Sequence, residues 1–243
     1  MSYPLKRGSI VYKRLVAGGL AIILSGCAVF NDGYSVKIHK EEMETGYSSV
    51  YAEVIEFDGF KNKEYESELN MSTEEEVSNA IKSFDALALE AKETLPKGVK
   101  SALNITQKIK RNTTDLISFI TEIYTYTGGA HGTTVWEPKT IDVTSENPHN
   151  LKLGELFSDK EYLSKLNAII NDMVKENPEK YGELWAKPEI TAENENRFYL
   201  TDTDLVIFFP PYELSYYAKG FNEFPIPLEK LNPILKEKYK TTK

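Results

Sequence analysis

Residues Phe198 to Leu231, FYLTDTDLVIFFPPYELSYYAKGFNEFPIPLEKL, decide the fold. Nine of the 27 residues from Phe198 to Phe224 are aromatic, against 12% for the chain, a density that marks either a packed core or a recognition surface. Polar Thr201-Asp202-Thr203-Asp204 separates Phe198–Leu200 from Leu205–Phe209 and predicts two short strands around a turn. Pro210-Pro211 must end the second strand, because proline has no backbone N–H to give to a ladder. The loop that follows, Tyr212 to Gly220, carries three tyrosines just outside regular structure. A strand pair therefore delivers a stiff Pro- and Tyr-rich loop, and that loop is either a folding corner or a binding surface.

Working outward, Leu228, Leu231, Ile234 and Leu235 predict a short terminal helix after Phe224-Pro-Ile-Pro227. Upstream, Tyr162, Leu163, Leu166, Ile169, Ile170, Met173 and Val174 recur at helical spacing. The expected cap of that helix is Ser158 or Asp159, and Asn177-Pro178 ends it. Further back, Ser101–Arg111 and Asp115–Tyr126 read as a hairpin about Asn112-Thr-Thr114. The second of these strands is apolar on both faces (Leu116, Ile117, Phe119, Ile120, Ile123), as a central strand is. A strand from Thr133 to Val143 follows, broken at Glu137-Pro138. A helix from about Thr73 to Leu95 is predicted from Val77, Ala80, Ile81, Phe84, Leu87, Ala88, Ala91 and Leu95, with Ser72 and Glu75 as its capping box. Strands are expected at Tyr34–His39 and Tyr47–Phe57, with a charged loop or frayed strand end at 41–46. The order ββ-α-βββ-α-ββ-α predicts an α+β fold, antiparallel sheets with helices packed on one face, in two closely associated subdomains, 34–144 and 145–243.

The first 26 residues read as an export leader. Lys6, Arg7, Lys13 and Arg14 precede a ten-residue apolar run, Leu15 to Leu24. Ten helical residues rise about 15 Å, half of the roughly 30 Å hydrocarbon core, so the run suits a signal peptide better than a permanent span. Leu24-Ser25-Gly26-Cys27 then looks like a bacterial lipobox, and Cys27 is the sole cysteine of the chain. Lipidated, Cys27 becomes the mature N-terminus, with 27–33 as anchor and linker. Two acyl chains suffice for stable membrane attachment, and a single cysteine leaves no intramolecular disulfide. The predicted location is the bacterial cell envelope, lipid-anchored on the extracytoplasmic side.

Loss of the four leader bases from 29 Lys and Arg leaves 25 against 37 Asp and Glu, a mature formal charge of −12. That balance argues against nucleic acid and for basic protein partners. No metal-ligand spacing links His39, His131 and His149, and there is no His-Glu-x-x-His, Gly-x-Ser-x-Gly, P-loop or dinucleotide fingerprint. No catalytic residue, metal or cofactor is assigned, and the chain reads as a non-enzyme. Gly128-Gly-Ala-His-Gly132 is either a ligand loop or a tight connection. The tight connection is the better reading for the glycines, and His131 is left open. Asp202 and Asp204 read as turn residues, and Trp136 and Trp185 as core. The candidate binding set is Pro210, Pro211, Tyr212, Glu213, Tyr216, Tyr217 and His131. Tyr212 with its two prolines is the expected exposed group, and Tyr216 or Tyr217 could fold back over the core.

Tyr126-Thr-Gly-Gly-Ala-His-Gly132, Phe198-Tyr-Leu-Thr-Asp, Pro211-Tyr-Glu-Leu and Tyr217-Ala-Lys-Gly220 together resemble the extracytoplasmic region of the RsiV-type family. The N-terminal half is similar to the domain that family shares with PdaC-type deacetylases. The resemblance implies a membrane-anchored module that binds lysozyme as a signal. Phe57-Asp-Gly-Phe60 lacks the paired aspartates of the deacetylase motif, and 14 residues before the apolar run are too few for a sigma-binding domain. The implied remainder is the sensing module alone, with lysozyme or another muramidase as ligand. The alternatives are an accessory lipoprotein on peptidoglycan and an unrecognised wall hydrolase or deacetylase.

Overall fold

A computed structural model describes residues 20–30, 33–144 and 148–240. The basic flank and the first part of the apolar run lie outside the described residues, and Cys27 is described by its backbone alone. Six strands follow chain order in one sheet: β1 (Leu20–Phe30), β2 (Ser35–Glu44), β3 (Ser48–Asp58), β4 (Ser101–Asn112), β5 (Leu116–Tyr126) and β6 (Thr133–Asp142). Of the two readings of the charged run at 41–46, the strand end holds as far as Glu44, where β2 stops. β1 pairs with β2 along residues assigned to the leader. Cleavage after Gly26 would leave only 28–30 paired with 35–37.

The fold is α+β, as expected, with one parallel pair among the antiparallel ones. β3 and β4 run parallel because the long helix α1 (Lys63–Ala91) carries the chain back between them. Their pairing ends at Ala52 and Ile105. Beyond it the buried Gln107 side chain replaces the ladder: its Oε1 accepts from Ile55 N at 2.5 Å and its Nε2 donates to Thr121 Oγ1 at 3.2 Å.

α1 begins ten residues before the predicted start. Asn62 caps it by accepting from Tyr65 N at 3.0 Å, and Glu66 Oε2 accepts from Gly59 N and Phe60 N at 2.7 and 2.6 Å. Ser72 lies inside the helix, donating to Glu76 at 3.2 Å, so the expected capping box is corrected. Leu69 and Thr73 extend the buried stripe of Val77, Ile81, Phe84 and Ala88 toward the N-terminus, whereas Leu87, expected in that stripe, is exposed and Leu95 lies beyond the helix end at Ala91.

The second sheet comprises β7 (Phe198–Leu200), β8 (Asp204–Phe209) and β9 (Asn222–Pro227), in that order. The hairpin falls where the opening stretch predicted it. β9 was not expected, because Pro225 and Pro227 cannot donate; as an edge strand it can carry them. Pro138 is accommodated in the same way on edge strand β6, which runs unbroken. Helix α2 (Tyr162–Glu176) has no side-chain cap. Ser158 instead donates to Ile234 O at 3.1 Å, and Asp159 accepts from Glu161 N at 2.8 Å. α3 (Pro178–Tyr181) follows Asn177, and the terminal helix is one turn, α4 (Leu228–Leu231).

Alternation explains why β5 and β8 carry apolar residues on both faces. In β5, Ile117 and Phe119 join Val36, Ile55, Phe57 and Leu69, while Ile120 turns to Tyr199, Val206 and Phe208 of the second sheet. In β8, Leu205, Ile207 and Phe209 pack with Leu166 and Ile170 of α2. Both strands are buried on two sides, and the two sheets meet face to face. Ser118 lies in the seam: its Oγ is 2.8 Å from Thr140 Oγ1 and accepts from Leu200 N at 3.0 Å.

Candidate functional site

The β5–β6 connection and the 210–220 loop come together at one end of the paired sheets. Pro210 halts β8, and the chain turns at once through Tyr212, whose φ of 69° makes it the non-glycine residue with positive φ among the described residues. Holding a tyrosine there costs about 1–3 kcal/mol and requires surrounding structure that overdetermines it. Tyr212 N donates to Ser215 O at 3.1 Å, and buried Ser215 Oγ accepts from Asn222 Nδ2 at 3.0 Å. Glu213 is held by Arg197, whose Nη1 donates to both carboxylate oxygens at 2.7 and 2.6 Å. The loop is anchored at its base and at its flank.

His131 completes the arrangement from the first sheet. Its ring stacks on Tyr217, centroids 3.7 Å apart and planes 12° from parallel. His131 Nδ1 is 2.8 Å from Gly132 O, and Nε2 is 3.2 Å from the Tyr212 hydroxyl. With Nδ1 donating to the carbonyl, the neutral ring accepts at Nε2 from the phenol. Tyr217 also donates to Gly132 O, at 2.7 Å. The glycines act as a tight connection: Gly128 and Gly129 have φ of 121° and 89°, and a Cβ on Gly132 would meet the Tyr124 ring at 2.5 Å.

The structure thus brings His131, Tyr212 and Tyr217 into one cluster. Tyr212 is 58% exposed, whereas Pro210 and Pro211, expected to be exposed with it, are half-buried. Tyr217 folds back, and Tyr216 points outward with its hydroxyl donating to Glu183 at 2.6 Å. That bond holds the Tyr216 phenol above its ordinary range and, with Lys219, holds Glu183 below the usual carboxylate range. Beside the loop runs a groove of about 390 Å³ lined by Glu122, Trp136, Pro211, Tyr217 and Phe221. Trp136 stacks on Phe221 at 3.9 Å and donates its indole N–H to Glu122 at 2.7 Å.

Trp185 corrects the sequence reading. Expected in the core, it is 58% exposed and lies against the loop, its backbone N–H donating to Leu214 O at 2.9 Å. Glu183 and Arg197 were likewise missed, since nothing in their local sequence ties them to residues 213–216. The remaining histidines sit elsewhere, His39 2.6 Å from Glu56 and His149 2.8 Å from Glu155. Among the described residues no three His, Cys, Asp or Glu side chains converge on a point that could hold a metal ion. Tyr162, half-buried beside Glu195, has its hydroxyl pushed up to about 12 by desolvation and by that carboxylate, so it remains a hydrogen-bond donor. No helix among the described residues is long and apolar enough to cross a membrane.

The exposed tyrosine loop of the second sheet is thus cross-braced by His131 of the first. Residues 41–134 match the family described as deacetylase PdaC, and residues 154–229 match a protein family of unknown function, DUF3298. A PdaC-type segment followed by a DUF3298-type segment, together with similarity to RsiV and PdaC, supports an RsiV-like PdaC/DUF3298 family. It is 28% identical over 189 residues to peptidoglycan-N-acetylmuramic acid deacetylase PdaC of Bacillus subtilis, covering 76% of this chain and 39% of that protein. It is 28% identical over 206 residues to the anti-sigma-V factor RsiV of the same organism, covering 81% of this chain and 68% of that one. A DUF3298 family protein of Bacteroides fragilis shares the fold with a TM-score of 0.61 at 16% identity, over 86% of this chain and 96% of that one. One from Pseudomonas aeruginosa does so with a TM-score of 0.57 at 15% identity, over 93% and 96%.

Proposed function

We propose that this chain is a lipid-anchored, extracytoplasmic lipoprotein, attached through Cys27, that binds a basic protein of the lysozyme type and has no catalytic activity of its own. The observation that carries the reading is Tyr212, exposed on a left-handed backbone and braced by His131 from the other sheet. A rigid, exposed aromatic with its rotamer already selected loses little entropy on binding, which is how a few residues come to dominate an interface. The mature charge of −12 supports a basic partner by steering encounter. Pro210, Pro211, Tyr212, Glu213, Tyr216, Tyr217 and His131 form the contact face or its support.

Immobilised C-type lysozyme tested against the full chain in detergent, across a salt series, decides the matter. Binding that weakens with salt and is lost in Tyr212→Ala is the expected result. No binding at low salt, or an unchanged affinity in Tyr212→Ala, overturns it.

The groove of Trp136, Phe221 and Glu122 favours a second reading, an accessory lipoprotein on peptidoglycan, since aromatic rings beside a carboxylate suit sugar rings. Cosedimentation with purified peptidoglycan that added lysozyme does not alter would support that reading over the first.

A further inference from the structure

We infer that Trp185, with Tyr216 and Glu183, forms a second contact point on the binding face, which takes an arginine or lysine side chain of the partner; this rests on the reading of the chain as a binder of a basic protein. The segment after α3 is built to present it. Leu184 packs inward against the α2 core while Trp185 turns outward, 58% exposed. Its indole N–H donates to Glu213 O at 3.2 Å and its backbone N–H to Leu214 O at 2.9 Å, so the ring is tied to the Tyr212 loop at two places. Tyr216, 45% exposed, is tied back to the same segment through Glu183 at 2.6 Å.

The polar tip of each ring is already satisfied within the protein. What remains to offer is ring face, and a ring face attracts cations through its quadrupole. The Glu183 carboxylate beside them is itself 64% exposed, and its Lys219 partner stands 3.6 Å away, so it keeps capacity for a second cation. Aromatic faces bordered by an exposed carboxylate match a guanidinium or ammonium group better than an apolar side chain. The negative charge of the mature chain directs such a partner to the same face.

Trp185 is one of two tryptophans, so ¹⁵N-tryptophan labelling of the full chain in detergent gives two indole signals, assigned with Trp185→Phe. Unlabelled C-type lysozyme is expected to move the Trp185 signal. Trp185→Ala should weaken binding about tenfold or more, and Trp185→Phe less, because it keeps a ring face without the indole N–H. Glu183→Gln should weaken binding and flatten its salt dependence. Equal losses in Trp185→Phe and Trp185→Ala would make the residue a brace for the loop and overturn the contact. Wild-type affinity in Trp185→Ala and Glu183→Gln, with binding still lost in Tyr212→Ala, would overturn this inference alone. A Trp185 signal moved by chitooligosaccharide but not by lysozyme would assign the ring to a sugar and overturn it. Absence of lysozyme binding by the wild type would overturn both.

Discussion

His131 Nε2 lies 3.2 Å from the hydroxyl of Tyr212, 81 residues away in sequence, and the bond joins the turn of one sheet to the exposed loop of the other. The stacked contact between His131 and Tyr217 fixes the ring from a second side. The His131 side chain therefore governs how firmly Tyr212 is held, through contacts made outside either core.

His131→Ala should lower the affinity for a C-type lysozyme about tenfold while leaving the thermal midpoint within a few degrees of wild type. One lost neutral hydrogen bond and one aromatic contact are together worth about 1–2 kcal/mol. Titration calorimetry and a thermal melt on the same preparation separate the two effects. A large fall in midpoint would show that the ring supports the fold and not the loop alone.

Ser118→Ala tests the seam between the sheets. The substitution removes the acceptor of Leu200 N and the partner of Thr140 Oγ1 in a fully buried position. An orphaned buried N–H costs about 1–3 kcal/mol, so the urea midpoint should fall accordingly. Ser118→Thr keeps the hydroxyl and should recover part of the loss if the added methyl is accommodated. An unchanged midpoint in Ser118→Ala would mean that the hydrogen bond contributes nothing to joining the sheets.

The acid limb of stability should depend on Asp142. Burial pushes its carboxyl up, but Lys238 and Thr144 more than offset this and hold it below the usual range. A depressed carboxylate contributes stability above its unfolded pKa of about 3.9, which is lost as pH falls through the lower folded value. Lys238 is raised, chiefly by its hydrogen bond to Asp142, so its contribution is complete below about 10.4 and is lost as pH rises through the folded value. Denaturant midpoints from pH 2 to 6 should fall more steeply in wild type than in Asp142→Asn. Parallel curves would remove Asp142 from the account.

Much of the fold was legible because its strands carry apolar residues either on alternate positions or on both faces. β5 and the β7–β8 hairpin were readable on that basis, and Gly128 and Gly129 by their need for positive φ. Three features were not. The start of α1 hangs on Asn62 and on Glu66 reaching back to Gly59 and Phe60, a cap without the Ser-x-x-Glu pattern that Ser72 displays by coincidence. β9 was hidden by prolines that only an edge position tolerates. Trp185 was misplaced because its exposure is set by Leu214 and Glu213, which are distant in sequence. In the site, local composition marked the tyrosine loop, whereas its bracing by His131 and Arg197 is a product of topology.

Gly132 carries the last test, because it separates two demands that glycine can meet. Unlike Gly128 and Gly129, it is not required for positive φ; it is required for space, since a Cβ would meet Tyr124 at 2.5 Å and Thr125 O at 2.6 Å. The backbone oxygen cannot move without disturbing the ladder between β5 and β6. Gly132→Ala should therefore cost about 1–3 kcal/mol, as overpacking does. It should also weaken lysozyme binding, because the carbonyl of residue 132 positions both His131 and Tyr217. Gly129→Ala, with nothing within 4 Å of the added carbon, pays only for its φ of 89°. It should be the milder change in a thermal melt. Equal effects would place the constraint in the backbone angle and not in the packing of Tyr124.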